Sequence, residues 1–331
     1  MYRVTLIPGD GIGPEIVEAA ARVVEASGVE IEWEKGMAGQ CAIPEYGHPV
    51  PEEVINSIKK TQVALKGPLT NIVGAGFPSP NMTLRVKLDL FANLRLARYF
   101  PGVESPFPNV DLAVIRENTE DVYVGLEQMV GEDAAVAIKF TTRKGSQRVI
   151  RFAFDYATKA NRKKVTVVLK ANILKLTDGL FLREAREISK DYPHIDYEEM
   201  NVDAQCMELV RKPEIYDVLV MPNLYGDIIS DLAAGLVGSV GICPGANFGN
   251  TLAVFEAAHG SAPKYAGKNK VNPTAMILSA SLMLRHLGEN DHALKIEKAV
   301  ADVIKDGKSV TYDLGGDAGT SQMADAIIEK L

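Results

Sequence analysis

The chain has 331 residues, 47% of them hydrophobic, and a mean hydropathy of +0.00, which suits one large globular domain or two smaller ones. With 36 basic against 43 acidic side chains the net charge is −7, and no basic block exists to grip a nucleic-acid backbone. Cys41, Cys206 and Cys243 are too few and too scattered for a disulfide framework, and the five histidines show no zinc spacing.

That cysteine usage and the absence of a secretory leader pattern in MYRVTLIPGDG lead us to expect a cytoplasmic protein with no membrane anchor. In chain order, residues 3–8 read as a strand and 14–26 as a helix with Pro14 in its opening turn. A helix at 51–60 and a strand at 63–65 follow, then a helix at 81–90 and a strand at 112–115. Residues 125–146 include AAVAIKFTTRKG, an expected β-arm; a lone hairpin is marginal in water, so a second copy of the chain is the economical partner. Helices are predicted at 147–161, 177–190 and 227–236, and strands at 165–169 and 217–221. The tail is helical at 275–287, 292–304 and 321–330, the first of these too short and too polar to span a bilayer. Alternation of strand and helix indicates an α/β protein, and the lack of any linker or repeat suggests two lobes joined by short crossings.

Several motifs carry chemistry. Gly9, Gly11 and Gly13 are spaced G-x-G-x-G, a poor dinucleotide fingerprint that a tight turn explains equally well. In SPNMTLRVKLDLFANLRLAR, helical spacing places Asn81 and Arg85 one turn apart, with Ser79 and the helix N-terminus as further donors to an anion. Arg95 and Arg116 add planar forks suited to carboxylates or phosphates, although surface ion pairing accounts for any one of these arginines alone. Asp227 and Asp231, at i and i+4 near a helix start, present two hard oxygen donors for Mg²⁺ or Mn²⁺; a helix cap with a solvated first-turn charge is the plainer alternative. Lys170 follows a strand and suits a general base if its pKa is lowered, or is simply solvated.

Taken together, LIPGDGIGPE, GPLTN, LRVKLDLFANLR, IRENTEDVY, LKANILKLTDGLF, MPNLYGDIISDLAAGLVG, EAAHGSAPKYAGKNKVNP and MLRHLG, running from Leu6 to the C-terminus, resemble the β-decarboxylating dehydrogenases that act on isocitrate, 3-isopropylmalate and homoisocitrate. The resemblance implies a two-lobed α/β fold around a cleft. A discontinuous large domain (1–92 and 243–331) would bind the cofactor and hold both termini. An inserted small domain (93–242) would carry substrate and metal ligands and an arm at about 125–146 that clasps a partner. It further implies that Ser79, Asn81, Arg85, Arg95 and Arg116 hold substrate carboxylates, and that Tyr123 and Lys170 are acid/base residues, Lys170 reaching across from the partner subunit. Asp227 and Asp231 would bind Mg²⁺ or Mn²⁺ with Asp203 of the partner subunit. Thr70, His259, Gly260, Ser261, Ala262, Lys264, Tyr265, Asn272, Tyr312 and Asp313 would meet the nicotinamide cofactor.

Isocitrate is the expected small-molecule substrate, because Ser79 and Asn81 offer polar donors to a distal carboxylate and would be left unpaired against an isopropyl group. Homoisocitrate, longer by one methylene, is the nearer rival, and a non-catalytic regulatory chain the reading from another class. Lys264-Tyr265 and Tyr312 resemble NADP-using relatives, so NADP is expected over NAD, although Gly316 stands where those enzymes carry an arginine. A homodimer with shared active sites completes the expectation.

Overall fold

The structure, a computed structural model, describes residues 1–71 and 77–331. The first elements are β1 (Tyr2–Ile7), α1 (Gly13–Ala26), β2 (Ile31–Lys35), α2 (Ile43–Tyr46), α3 (Glu52–Thr61), β3 (Val63–Lys66) and α4 (Pro80–Lys87). The middle of the chain contributes β4 (Ala92–Arg98), β5 (Asp111–Glu117), β6 (Glu127–Val130), β7 (Ala134–Ala137), α5 (Arg143–Lys159), β8 (Lys164–Leu169), α6 (Thr177–Ser189), β9 (Asp196–Asn201), α7 (Val202–Arg211), β10 (Val218–Met221) and α8 (Asn223–Leu236). The chain ends through β11 (Pro244–Phe248), β12 (Ala253–Ala257), α9 (Thr274–His286), α10 (Asn290–Asp306) and α11 (Thr320–Ile328). Among the described residues no helix is long and apolar enough to cross a membrane.

Ten strands form one sheet in the order β2-β1-β3-β12-β11-β4-β5-β10-β8-β9. β2, β1, β3 and β12 run parallel, and so do β5, β10, β8 and β9. Between these blocks, β11 is antiparallel to both β12 and β4, and β4 is antiparallel to β5, so the two parallel blocks point in opposite directions. Each block buries both faces under helices, the usual condition for parallel strands. On α1 the buried stripe Ile16, Ala19, Ala20, Val23 and Val24 follows the helical repeat. α9 is buried almost all round and lies on β11 and β12, its polar positions satisfied internally. Ser279 donates to the Glu256 carbonyl at 2.9 Å and accepts from the Gly245 amide at 3.2 Å, so the core helix is stitched to the β11–β12 hairpin.

The expected strand and helix positions agree with the structure to within a few residues, with two instructive departures. The helix expected at 227–236 begins at Asn223, so Asp227 lies in its second turn and caps nothing. The expected arm at 125–146 is the hairpin β6–β7, but α5 already begins at Arg143. Every residue of its two strands is exposed, and Met129, Val130, Ile138 and Phe140 offer apolar surface to solvent. The arm is rooted by Lys139, whose Nζ lies 2.8 Å from Oδ1 of the fully buried Asp178.

The opening glycines make a tight turn docked on the far end of the chain. Ile12 N–H donates to the Ser261 carbonyl at 2.9 Å. Gly11 has φ +59°, and a Cβ there would overlap the Ser261 carbonyl oxygen. Gly28 has φ +96° in open space. Gly11→Ala is therefore expected to lose about 2–4 kcal/mol, the left-handed strain plus a backbone displacement, and Gly28→Ala only about 1 kcal/mol. Urea unfolding of the two variants checks this; equal losses would show that the close approach carries no energy.

Candidate active site

Cross-strand register decides which charged side chains share a face of the sheet. Lys66 pairs with Glu256, Glu256 with Gly245, and Gly245 with Arg95. In the adjacent row Asn247 pairs with Asn93 and Asn93 with Arg116. Directly opposed residues project to the same side, so two rows of polar groups cross the middle of the sheet where its direction reverses. α4 brings Asn81 and Arg85 to these rows, and α8 brings Asn223, Asp227, Ser230 and Asp231.

The three expected arginines converge. Arg116, 1% exposed, donates from Nε to Asn223 Oδ1 at 2.8 Å and pairs through Nη1 with Asp227. Arg95 donates from Nη1 to Ser230 Oγ at 2.8 Å and to Asp231 Oδ1 at 3.1 Å, and its Nη2 lies 3.8 Å from Asp227. Arg85 Nη2 lies 3.7 Å from Glu256 Oε1. The Tyr123 hydroxyl donates to Asp227 Oδ2, and the Arg116 guanidinium lies 4.9 Å from the centre of its ring. Asp231 remains exposed, so α8 offers two carboxylates one turn apart, both touched by Arg95.

Asn81 joins this cluster through Lys66, whereas Ser79 is bonded to Asn71. Ser79 Oγ donates to Asn71 Oδ1 at 2.8 Å, and Asn81 Oδ1 accepts from Lys66 Nζ at 3.1 Å. Lys170 and Asp203 are placed elsewhere. They pair with each other at 2.6 Å, and among the described residues no hydrogen bond or ion pair joins either to Tyr123 or Asp227. The three expected metal ligands therefore do not gather within one chain, and no group of three His, Cys, Asp or Glu side chains able to hold a metal ion exists among the described residues. Asp227 and Asp231 have the hard oxygen chemistry that Mg²⁺ or Mn²⁺ prefers, and a metal held there would need ligands beyond these two side chains.

The expected cofactor residues fall into two connected groups. Thr70 Oγ1 shares a hydrogen bond of 2.8 Å with Ser261 Oγ, and Thr70 N–H donates to Asp10 Oδ2 at 2.8 Å. His259, Gly260, Ala262 (φ +35°) and Lys264 continue this loop, and burial pushes the His259 imidazole pKa down. Asp313 accepts from Ser239 Oγ and Asn272 Nδ2, each at 3.0 Å, and from Thr311 Oγ1 at 2.6 Å. Tyr265 and Tyr312 stack with ring centres 6.1 Å apart, Lys270 lies against the Tyr312 ring, and Lys264 is exposed.

Sequence reasoning missed Lys66, Glu256 and Asn247, all buried beside the arginines. A lysine closing the apolar run VAL and a glutamate inside AVFEA were the available signals. Electrostatics in this cluster follow from burial. Burial pushes the Arg116 pKa down to about 10, with Arg85 adding to the effect. For Asp227 burial acts upward, but Arg116, the Tyr123 hydroxyl and the other two arginines outweigh it and hold the carboxyl low. Burial and the bond to Asp227 raise the Tyr123 pKa, so the phenol keeps its proton.

Burial likewise opposes ionisation of Glu256, yet Lys66, with Nζ at 2.5 Å, and Arg85 bring its pKa from 4.5 to about 2. A depressed carboxyl contributes stability that is present above its unfolded pKa and lost as pH falls through its folded one. Glu256→Gln is accordingly expected to cost about 3 kcal/mol at pH 7. The deficit should shrink as pH falls from 4.5 toward about 2. Urea midpoints across that range test it; a deficit independent of pH would assign the loss to packing.

The sequence model described as isocitrate/isopropylmalate dehydrogenase matches residues 3–327. The chain is 47% identical to a mitochondrial NAD isocitrate dehydrogenase regulatory subunit of Dictyostelium discoideum, covering 100% of this chain and 92% of that one. It is 48% identical to catalytic subunit 5 of the mitochondrial NAD isocitrate dehydrogenase of Arabidopsis thaliana, covering 99% and 88%. The crystal structure of isocitrate dehydrogenase from Methylococcus capsulatus superposes with a TM-score of 0.96 at 53% identity, covering 100% and 99%. The names of the Dictyostelium and Arabidopsis relatives both specify NAD, which overturns the expectation of NADP. The residues that suggested NADP do not decide it: Lys264 is one exposed charge, Gly316 adds none, and Tyr265 and Tyr312 are neutral. On the match along its whole length and in its fold, the chain belongs to the isocitrate/isopropylmalate dehydrogenase family.

Proposed function

We propose that this protein oxidises isocitrate with NAD, releasing CO₂ and yielding 2-oxoglutarate and NADH. The observation that carries the reading is the convergence of Arg85, Arg95 and Arg116 on one polar face, beside Asn81 and the Tyr123 hydroxyl. Three cations on one ligand match a tricarboxylate, and the names of the relatives support both substrate and NAD.

Asp227 and Asp231 would hold Mg²⁺ or Mn²⁺, which when bound polarises the substrate's C2 oxygen, while NAD supplies the hydride acceptor. The chain's own residues do the rest. The arginines orient the carboxylates, Arg95 and Arg116 exchanging their present pairing with Asp227 and Asp231 for substrate. Asp227, held ionised by its neighbours, stays available as an oxygen donor. Tyr123, held protonated, would deliver a proton to carbon after CO₂ departs. Lys170 and Asp203 would complete the site of a second copy, reached through the dimer that the exposed apolar arm calls for.

Purified protein with Mn²⁺ is expected to reduce NAD with isocitrate, faster than with homoisocitrate or 3-isopropylmalate, and to favour NAD over NADP in kcat/KM. Excess EDTA should abolish the activity and added Mn²⁺ restore it. The Dictyostelium relative's name raises a regulatory reading, which expects no NADH from the chain alone. Sharing of sites has its own test. Lys170→Met and Tyr123→Phe, each inactive, should recover activity when their subunits are mixed, because one site per mixed dimer is intact. No recovery after verified exchange would place all catalytic groups on one chain.

A further inference from the structure

Behind the arginine cluster lies a buried amide network that the proposed chemistry leaves unused. Asn93, Asn118 and Asn247 are at most 2% exposed. Asn118 Nδ2 donates to the Leu90 carbonyl at 3.0 Å, a group that can only accept, so its amide orientation is settled. The same Nδ2 donates to Asn247 Oδ1 at 2.9 Å, and Asn93 Nδ2 meets that oxygen at 2.9 Å. Asn247 Oδ1 is therefore the acceptor, and its Nδ2 is left to donate to Glu256 Oε1 at 2.7 Å and to the Val254 carbonyl at 3.3 Å. Across the β11–β12 hairpin Asn247 opposes Val254, which makes Glu256 its diagonal neighbour.

We propose that Asn247 is a positioning residue for substrate binding: its amide fixes the rotation of the Glu256 carboxylate, so that one oxygen serves Lys66 and the other faces Arg85. The inference rests on the isocitrate reading above. Glu256 Oε2 lies 2.5 Å from Lys66 Nζ, and Oε1, the oxygen that Asn247 holds, lies 3.7 Å from Arg85 Nη2. Without the amide the carboxylate is free to turn wholly onto Lys66, which also contacts Asn81, and Arg85 loses the partner that aims it. Apolar residues would fill this space without desolvating three amides. As it is, Asn93 Oδ1 and Asn118 Oδ1 are buried with no partner among the described residues. A core arranged at such a cost orients something.

The test is Asn247→Asp, which keeps the side-chain volume. Among the described residues the charged groups facing this point are Lys66 on β3, Arg85 on α4, Arg95 on β4, Arg116 on β5 and Glu256 on β12. At pH 8 the new carboxylate repels Glu256, and the isocitrate Kd and KM, with Mn²⁺ present, should rise about tenfold. The KM for NAD and kcat should change by less than about threefold, since neither depends on Arg85 aim alone.

A merely structural role predicts lowered Tm with isocitrate Kd within about twofold of wild type, and that result overturns the proposal. If the aspartate variant does not accumulate as soluble protein, Asn247→Ser removes the amide donor to Glu256 without adding a charge. A selective rise in isocitrate Kd supports the proposal, and unchanged Kd overturns it. Calorimetric Kd values separate the two claims. Wild-type protein that binds isocitrate without turnover overturns the catalytic reading alone, whereas wild-type protein that binds no isocitrate overturns both.

Discussion

Mutual repulsion among three guanidiniums sharing one face of a sheet is the constraint on which the rest of the site depends. Arg116 and Arg85 are almost wholly removed from water, and neither can shed its charge at neutral pH. Each is pushed down in pKa mainly by burial, and Arg116 further by Arg85. Carboxylates offset this from two sides: Asp227 and Asp231 on α8, and Glu256 on β12. Those carboxylates set the architecture around them. α8 must lie close on β5 for Asp227 to reach Arg116, and Gly226 permits it, since a Cβ there would overlap the Arg116 stem. The glycine of NLYGD is thus a packing requirement of the neighbouring aspartate's charge.

The reversal of strand direction explains why so many polar groups are tolerated in the middle of a sheet. The central strands β11 and β4 are antiparallel neighbours between two parallel blocks, and their register lines up Glu256, Gly245 and Arg95 in one row and Asn247, Asn93 and Arg116 in the next. Parallel strands buried on both faces read as continuous apolar runs, as β8 (KVTVVL) and β10 (VLVM) do. β11 reads PGANF, and β4 ANLRLAR. The unusual composition of those two strands is the local signature of the site.

Much of this was legible in the chain. The arginine spacing in LRVKLDLFANLR, the paired aspartates of NLYGDIISD and the tyrosine of ENTEDVY all reached one cluster in the structure. Strands with strong apolar runs, and helices such as α1 with its Ile16–Val24 stripe, were readable because period and burial agree. β2 (IEWEK) and β9 (DYEEMN) escaped notice because sheet-edge strands carry charges that break up the apolar run. β11 escaped because proline, glycine and asparagine disfavour strands when they are judged alone. Lys264-Tyr265 misled because one exposed lysine beside a neutral phenol does not distinguish the two cofactors.

Sequence by itself determined the α/β class and the strongly periodic helices and strands, since periodicity is a local property, and its resemblance to a family singled out the arginines, aspartates and tyrosine. Tertiary structure alone decided that Lys66, Glu256 and Asn247 join them, because that depends on register between strands far apart in the chain. It also decided that Lys170 and Asp203 pair with each other, away from Tyr123. A charged side chain's role is set by which neighbours offset its desolvation, and those neighbours are chosen only when the chain has folded.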